Sequence, residues 1–191
     1  MVLPIVAYGA QVLRKVCENI KPGQIDVKKL SDDMFESMYA ASGVGLAGPQ
    51  VGLALRIFVV DGEIMNSGAE TEEDIDQTLV GFKKTFVNAQ ILEETGEKWP
   101  YEEGCLSIPG IRADVSRPES LTIKYMDTDF NEYTETYTGM AARIIQHEYD
   151  HIQGVLFIDY LAPLKKQMLK KRLADITKGN VKVDYKMRFP K

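Results

Sequence analysis

Histidine is nearly missing from this chain of 191 residues, which holds two, His147 and His151. Cysteine is as scarce, with Cys17 and Cys105 alone. Two thiols do not make the disulfide framework of a small secreted domain, so both are expected to be reduced. No apolar run approaches the ~20 residues that a membrane span needs. The opening MVLPIVAYGA has no charged leader, and Pro4 and Gly9 interrupt it. It does not read as a secretory signal, and the expected compartment is the cytoplasm. Bases are outnumbered, 23 Lys and Arg against 28 Asp and Glu, for a net charge of −5. That balance argues against general nucleic-acid binding and leaves a local basic patch open.

What is present suits one well-buried domain spanning residues 1–191. Residues 25–42 carry Ile25, Leu30, Met34, Met38 and Ala41 at helical steps, with Asp26 to cap the start and Gly43 to end it. LRIFVV, KTFVNAQIL (84–92), SLTIKYM (120–126) and EYTETYT (132–138) read as strands. Residues 61–82 hold seven acids and no base, the pattern of a solvated surface loop. A helix opens at Gly139, carries both histidines and stops at Gly154. A last helix starts near Pro163, a residue suited to the first turn, with Leu164, Met168, Leu169, Leu173 and Ile176 as its apolar face. VKVDYKM is read as a final strand. The expected class is α+β: antiparallel or mixed sheets around a central histidine-bearing helix, with an N-terminal and a C-terminal helix.

The histidines sit in QHEYDH, an H-E-x-x-H pattern. Positions i and i+4 share one helix face, so two imidazoles can converge on one ion. In such sites the intervening acid, here Glu148, takes a proton from water on the metal. The third ligand is not fixed by this pattern. The zinc-peptidase extension H-E-x-x-H-x-x-G-x-x-H is excluded, because Phe157 stands where its third histidine belongs. Cys105, in YEEGCLSIPG, offers a thiolate. A downstream acid, Asp159 or Asp175, would instead make a zinc peptidase with an acidic third ligand. Closure by both cysteines would make a four-ligand structural site.

GVGLAGPQ, EGCLS and QHEYDH occur in that order, and the set resembles the three motifs of peptide deformylase from near the N-terminus to about residue 161. The resemblance implies that Cys105, His147 and His151 hold one ferrous ion, which zinc, nickel or cobalt can replace. It implies Glu148 as general base, and Gln50 with the backbone N–H of Leu106 as oxyanion donors. The implied reaction is hydrolysis of the formyl group from the initiator methionine of new proteins, releasing formate. Gly45 and Gly110 would pair with the extended peptide, Val44 and Ile144 would line the methionine pocket, and Arg112 would lie near the peptide path. The implied partners are N-formylmethionyl peptides. The basic last helix, with Lys165, Lys166, Lys170, Lys171 and Arg172, suggests the ribosome as well. Gly48 departs from the usual alanine of the glycine loop, which implies a looser loop.

Overall fold

The computed structural model describes residues 1–190. In chain order the elements are β1 Ile5–Val6, α1 Val27–Ala40, β2 Gly45–Ala47, β3 Ile57–Asp61, α2 Glu63–Asn66, β4 Lys83–Cys105, β5 Ile108–Met126, β6 Glu132–Thr138, α3 Gly139–Ile152, α4 Pro163–Thr177 and β7 Met187–Arg188. Five strands form one antiparallel sheet in the order β2-β3-β4-β5-β6, and β1 pairs with β7 in parallel.

α1 begins where the sequence says it should. The Asp26 carboxylate accepts from the Lys29 N–H at 2.9 Å, satisfying one of the free donors of the first turn. Its end differs by one residue: Ser42, not Gly43, takes the left-handed conformation, at φ 55°. α3 packs on β2, β3, β5 and β6, so the histidine helix is central. β3 is buried on both faces. Phe58 and Val60 pack with Ile144 and Ile145 of α3, while Ile57 and Val59 meet Met34 and Met38 of α1. That two-sided burial is why IFVV (57–60) is an unbroken apolar run.

The strands read at 84–92 and 120–126 are the outer ends of a much longer ladder. β4 runs on to Cys105 and β5 returns from Ile108, with register shifts at four places. Glu93 to Lys98 are exposed and carry no apolar alternation, so only pairing with β5 makes them strand. The inner half of β5 does alternate: Ile111, Ala113, Val115 and Arg117 are buried.

Three expectations need correction. The acidic segment 61–82 is not wholly a solvated loop, because Leu79 and Phe82 are buried and pack in the sheet core. The last helix does not bury a full apolar face. Leu164 and Met168 are 71% and 74% exposed, and Leu169, Leu173 and Ile176 carry the packing. The helix packs apolar side chains on the body only from Leu169 onward, so its first turns stay uncovered. Finally, VKVDYKM is strand only at Met187, which with Arg188 pairs against β1.

Candidate metal centre

β4 ends at Cys105 and β5 begins at Ile108, so Leu106 and Ser107 form a tight corner with Cys105 paired to Ile108. That corner points at α3. The Cys105 sulfur is 3.3 Å from His151 Nε2, and the ligand atoms of Cys105, His147 and His151 all lie within 4.8 Å of one another. It is the one such group of metal-ligating side chains found among the described residues. Asp159 is engaged by Arg14 and the Leu156 N–H and does not join the group. Cys17 lies buried in the sheet core and does not join it either. Phe157, where a third histidine was lacking, stacks on His147 with ring centroids 6.1 Å apart.

The donor set fits a divalent ion of borderline softness. The hydrogen bond on the outer nitrogen of His147 supports this. His147 Nδ1–H donates to the Glu103 carboxylate at 2.8 Å, which fixes the tautomer and leaves Nε2 for the group. Burial pulls the His147 pKa down, but the Cys105 and Glu103 hydrogen bonds outweigh it and hold the pKa well above the usual value. Burial, with charge from His147 and Arg117, keeps the His151 pKa well below the usual value. His151 Nδ1 is buried and has no partner.

Glu103 is the residue of this site that no sequence motif signalled. It is buried and anchors a charge network. Arg117 donates to it at 2.6 and 3.0 Å, and Arg143 donates at 2.8 Å. Arg117 also reaches Asp150 at 2.7 Å. The acid pair just before Gly-Cys was the available signal, but only the β4–α3 contact separates buried Glu103 from exposed Glu102.

Glu148 is buried beside the group, and its Oε2 has no partner. Burial pushes its carboxyl up to about 7, before any ion's charge acts on it. Gly45 makes room for it: a Cβ at Gly45 would lie 2.7 Å from the Glu148 carboxyl carbon. Gln50 is buried in the short turn after β2. Its Oε1 accepts from the Ala47 N–H at 2.9 Å, which turns Nε2 to within 3.4 Å of the Cys105 sulfur. Gly48 does not loosen this loop. A Cβ there would meet the Leu55 and Leu53 carbonyls at 2.7 and 3.0 Å, so the glycine permits a tight backbone contact.

A cleft of about 590 Å³ opens over this group. Val44, Gly45, Gly110, Arg112 and Ile144 all line it. Val44 and Ile144 also belong to the sheet core. Gly45 lies on β2, the edge strand of the sheet. The Gly110 carbonyl already accepts from the Arg172 guanidinium, and Arg112 is tied to Glu102 at 2.9 Å. Lys182, Val183, Asp184 and Tyr185 complete the wall, which no sequence motif signalled.

An H-E-x-x-H helix, a thiol completing three ligands and a buried acid beneath a peptide-sized cleft define a metal-dependent hydrolase. Residues 2–167 match the polypeptide deformylase family. A peptide deformylase of Cytophaga hutchinsonii is 54% identical over 190 residues, covering 100% of this chain and 98% of that protein. One from Flavobacterium psychrophilum is 51% identical over 189 residues, covering 99% and 97%. The crystal structure of a peptide deformylase from Legionella pneumophila superposes with a TM-score of 0.78 at 34% identity, covering 94% of this chain and 98% of that one. The chain belongs to the polypeptide deformylase family, whose metal-dependent members remove the N-formyl group from nascent peptides.

Proposed function

We propose that Cys105, His147 and His151 hold the ion, that Glu148 is the general base and acid, and that Gln50 and Leu106 stabilise the oxyanion. The observation that carries this reading is the convergence of three ligand atoms within 4.8 Å beside a buried, unpartnered carboxylate. Bound there, the ion supplies Lewis acidity and a water of lowered pKa. The family resemblance points to ferrous iron as the working ion. Thiolate with two imidazoles also accepts zinc, nickel or cobalt.

The chain's own groups then act in sequence. Glu148 takes the proton of the water that attacks the formyl carbon. Negative charge gathers on the formyl oxygen, where the Gln50 amide and the Leu106 N–H donate, each contributing ~3 kcal/mol. When the C–N bond breaks, Glu148 returns the proton to the leaving amine, and formate and a free amino terminus result. Val44 and Ile144 receive the methionine side chain. β2 offers Gly45 at a sheet edge, where an extended peptide can add as a strand. On the far side, Gly110 contributes through its N–H, since its carbonyl is taken by Arg172. Arg112 flanks the peptide path. The chain 1–191 works as one catalytic domain, for the cleft draws on residues from Ser42 to Tyr185.

A nascent-chain substrate makes the cytoplasm the working compartment. No helix among the described residues is long and apolar enough to cross a membrane. We extend the proposal to ribosomal RNA at α4. Lys165, Lys170 and Lys171 are exposed there, although Lys166 bonds the Asp159 carbonyl at 2.7 Å and Arg172 holds Gly110. Co-sedimentation with ribosomes is expected to weaken on charge reversal of the three exposed lysines, and indifference to that change removes the idea.

The central test is Glu148→Ala, with formate release and metal content measured together. Turnover is expected to fall by ~10²–10⁴ with the metal retained. Wild-type turnover in that variant would remove Glu148 from the mechanism.

A further inference from the structure

The corner that supplies the Leu106 N–H is not held by its own hairpin alone. The Tyr185 hydroxyl donates to the Leu106 carbonyl at 2.8 Å. The Tyr8 N–H donates to the Ser107 carbonyl at 2.8 Å, and Gln50 Nε2 lies 3.4 Å from the Ser107 hydroxyl. Tyr8 and Tyr185 come from opposite ends of the chain, and β1 and β7 clasp those ends together. The Ile5 N–H donates to the Lys186 carbonyl at 2.8 Å, and the Ala7 N–H donates to that of Arg188 at 2.9 Å. Tyr185 directly precedes the clasped Lys186. Its half-buried ring packs with Leu106 against the α1 core. The tail that carries it lies beyond the matched family region, which stops at residue 167.

We propose that Tyr185 is a positioning residue, whose hydroxyl pins the Leu106 carbonyl so that the Leu106 N–H stays aimed at the developing oxyanion. The proposal rests on the donor role assigned to Leu106 above. Cys105, at the end of the β4 ladder, anchors one side of the Leu106 amide, and Tyr185 anchors the peptide plane on the other. With both sides fixed, the N–H does not reorient as charge develops, which is the condition for a strong oxyanion donor. Without the second anchor, Leu106 regains torsional freedom, and part of that stabilisation is lost in the transition state only.

The test is Tyr185→Phe, which removes the hydroxyl and keeps the ring. On formyl-methionyl peptides kcat is expected to drop roughly tenfold, less than the ~10²–10³ for losing a donor outright, with KM unchanged. Metal content is expected to stay at one ion per chain, and the NMR order parameter of the Leu106 N–H is expected to fall. An unchanged order parameter at Leu106 would overturn the proposal. So would a parallel loss of kcat, substrate affinity and metal, which marks a role in stability alone. A lower order parameter with wild-type kcat would reject the donor role of Leu106, and with it the catalytic consequence of the pin, while the Glu148→Ala result would still stand on its own.

Discussion

Replacing Glu103 by glutamine keeps the side chain's shape and deletes one buried negative charge. Three groups lose that charge at once: Arg117, Arg143 and His147. Removing one member of a buried ion pair costs ~3–5 kcal/mol, because the partner stays buried and uncompensated. Here the lower end applies. Arg117 keeps Asp150 at 2.7 Å, Arg143 keeps the Val115 carbonyl at 2.8 Å, and glutamine still offers an oxygen. A loss of ~3 kcal/mol in a chain of this size lowers Tm by about 6–12 °C. Losing the carboxylate charge on the acceptor that orients His147 is also expected to weaken metal affinity ~10–100-fold. The pH dependence has a definite sign. Burial alone would raise the Glu103 pKa, but hydrogen bonds from His147 and Arg117 outweigh it and hold the carboxyl well below its usual range. A folded pKa below the unfolded ~4.3 stabilises above that value and loses the effect as pH falls toward the folded pKa. The Tm gap between wild type and Glu103→Gln should therefore be full at neutral pH and narrow on acidification below about 4. Thermal melts across pH, paired with a metal titration, read both effects. A variant that melts with wild type and binds metal equally well, or a gap that ignores pH, would refute the network's assigned role.

Gly45→Ala places a Cβ 2.7 Å from the Glu148 carboxyl carbon and must displace that side chain, so kcat is expected to fall ~100-fold while the melt changes little. Gly48→Ala meets backbone carbonyls that cannot swing aside, so its cost is expected in stability, ~1–3 kcal/mol by denaturant titration. Cys105→Ser is expected to lose most of the bound metal on elemental analysis; retention of a full equivalent would revive an acidic third ligand. In α4, Ile176→Ala should cost ~2–5 kcal/mol, whereas Leu164→Gln and Met168→Gln should stay within ~0.5 kcal/mol, because only Ile176 is buried.

Local physics made much of this protein legible in its residues. The i, i+4 histidines, the Asp26 cap and the run LRIFVV needed no neighbours to be read, and the three motifs were read by their resemblance to a family. Chain-wide pairing decided the rest. Glu93 to Lys98 are strand because β5 lies beside them, and their own side chains face water and carry no period. Two adjacent acids, Glu102 and Glu103, are alike in sequence. The pleat turns one outward and the other under α3, where two arginines and a histidine meet it. Leu164 and Leu169 share a helix and a chemistry, yet only the second finds a surface to cover it. The part of the cleft wall built by residues 182–185 is the least legible. The tail that carries Tyr185 reaches Leu106 across 79 positions, and no local pattern encodes a contact that exists only when the two ends of the chain come together.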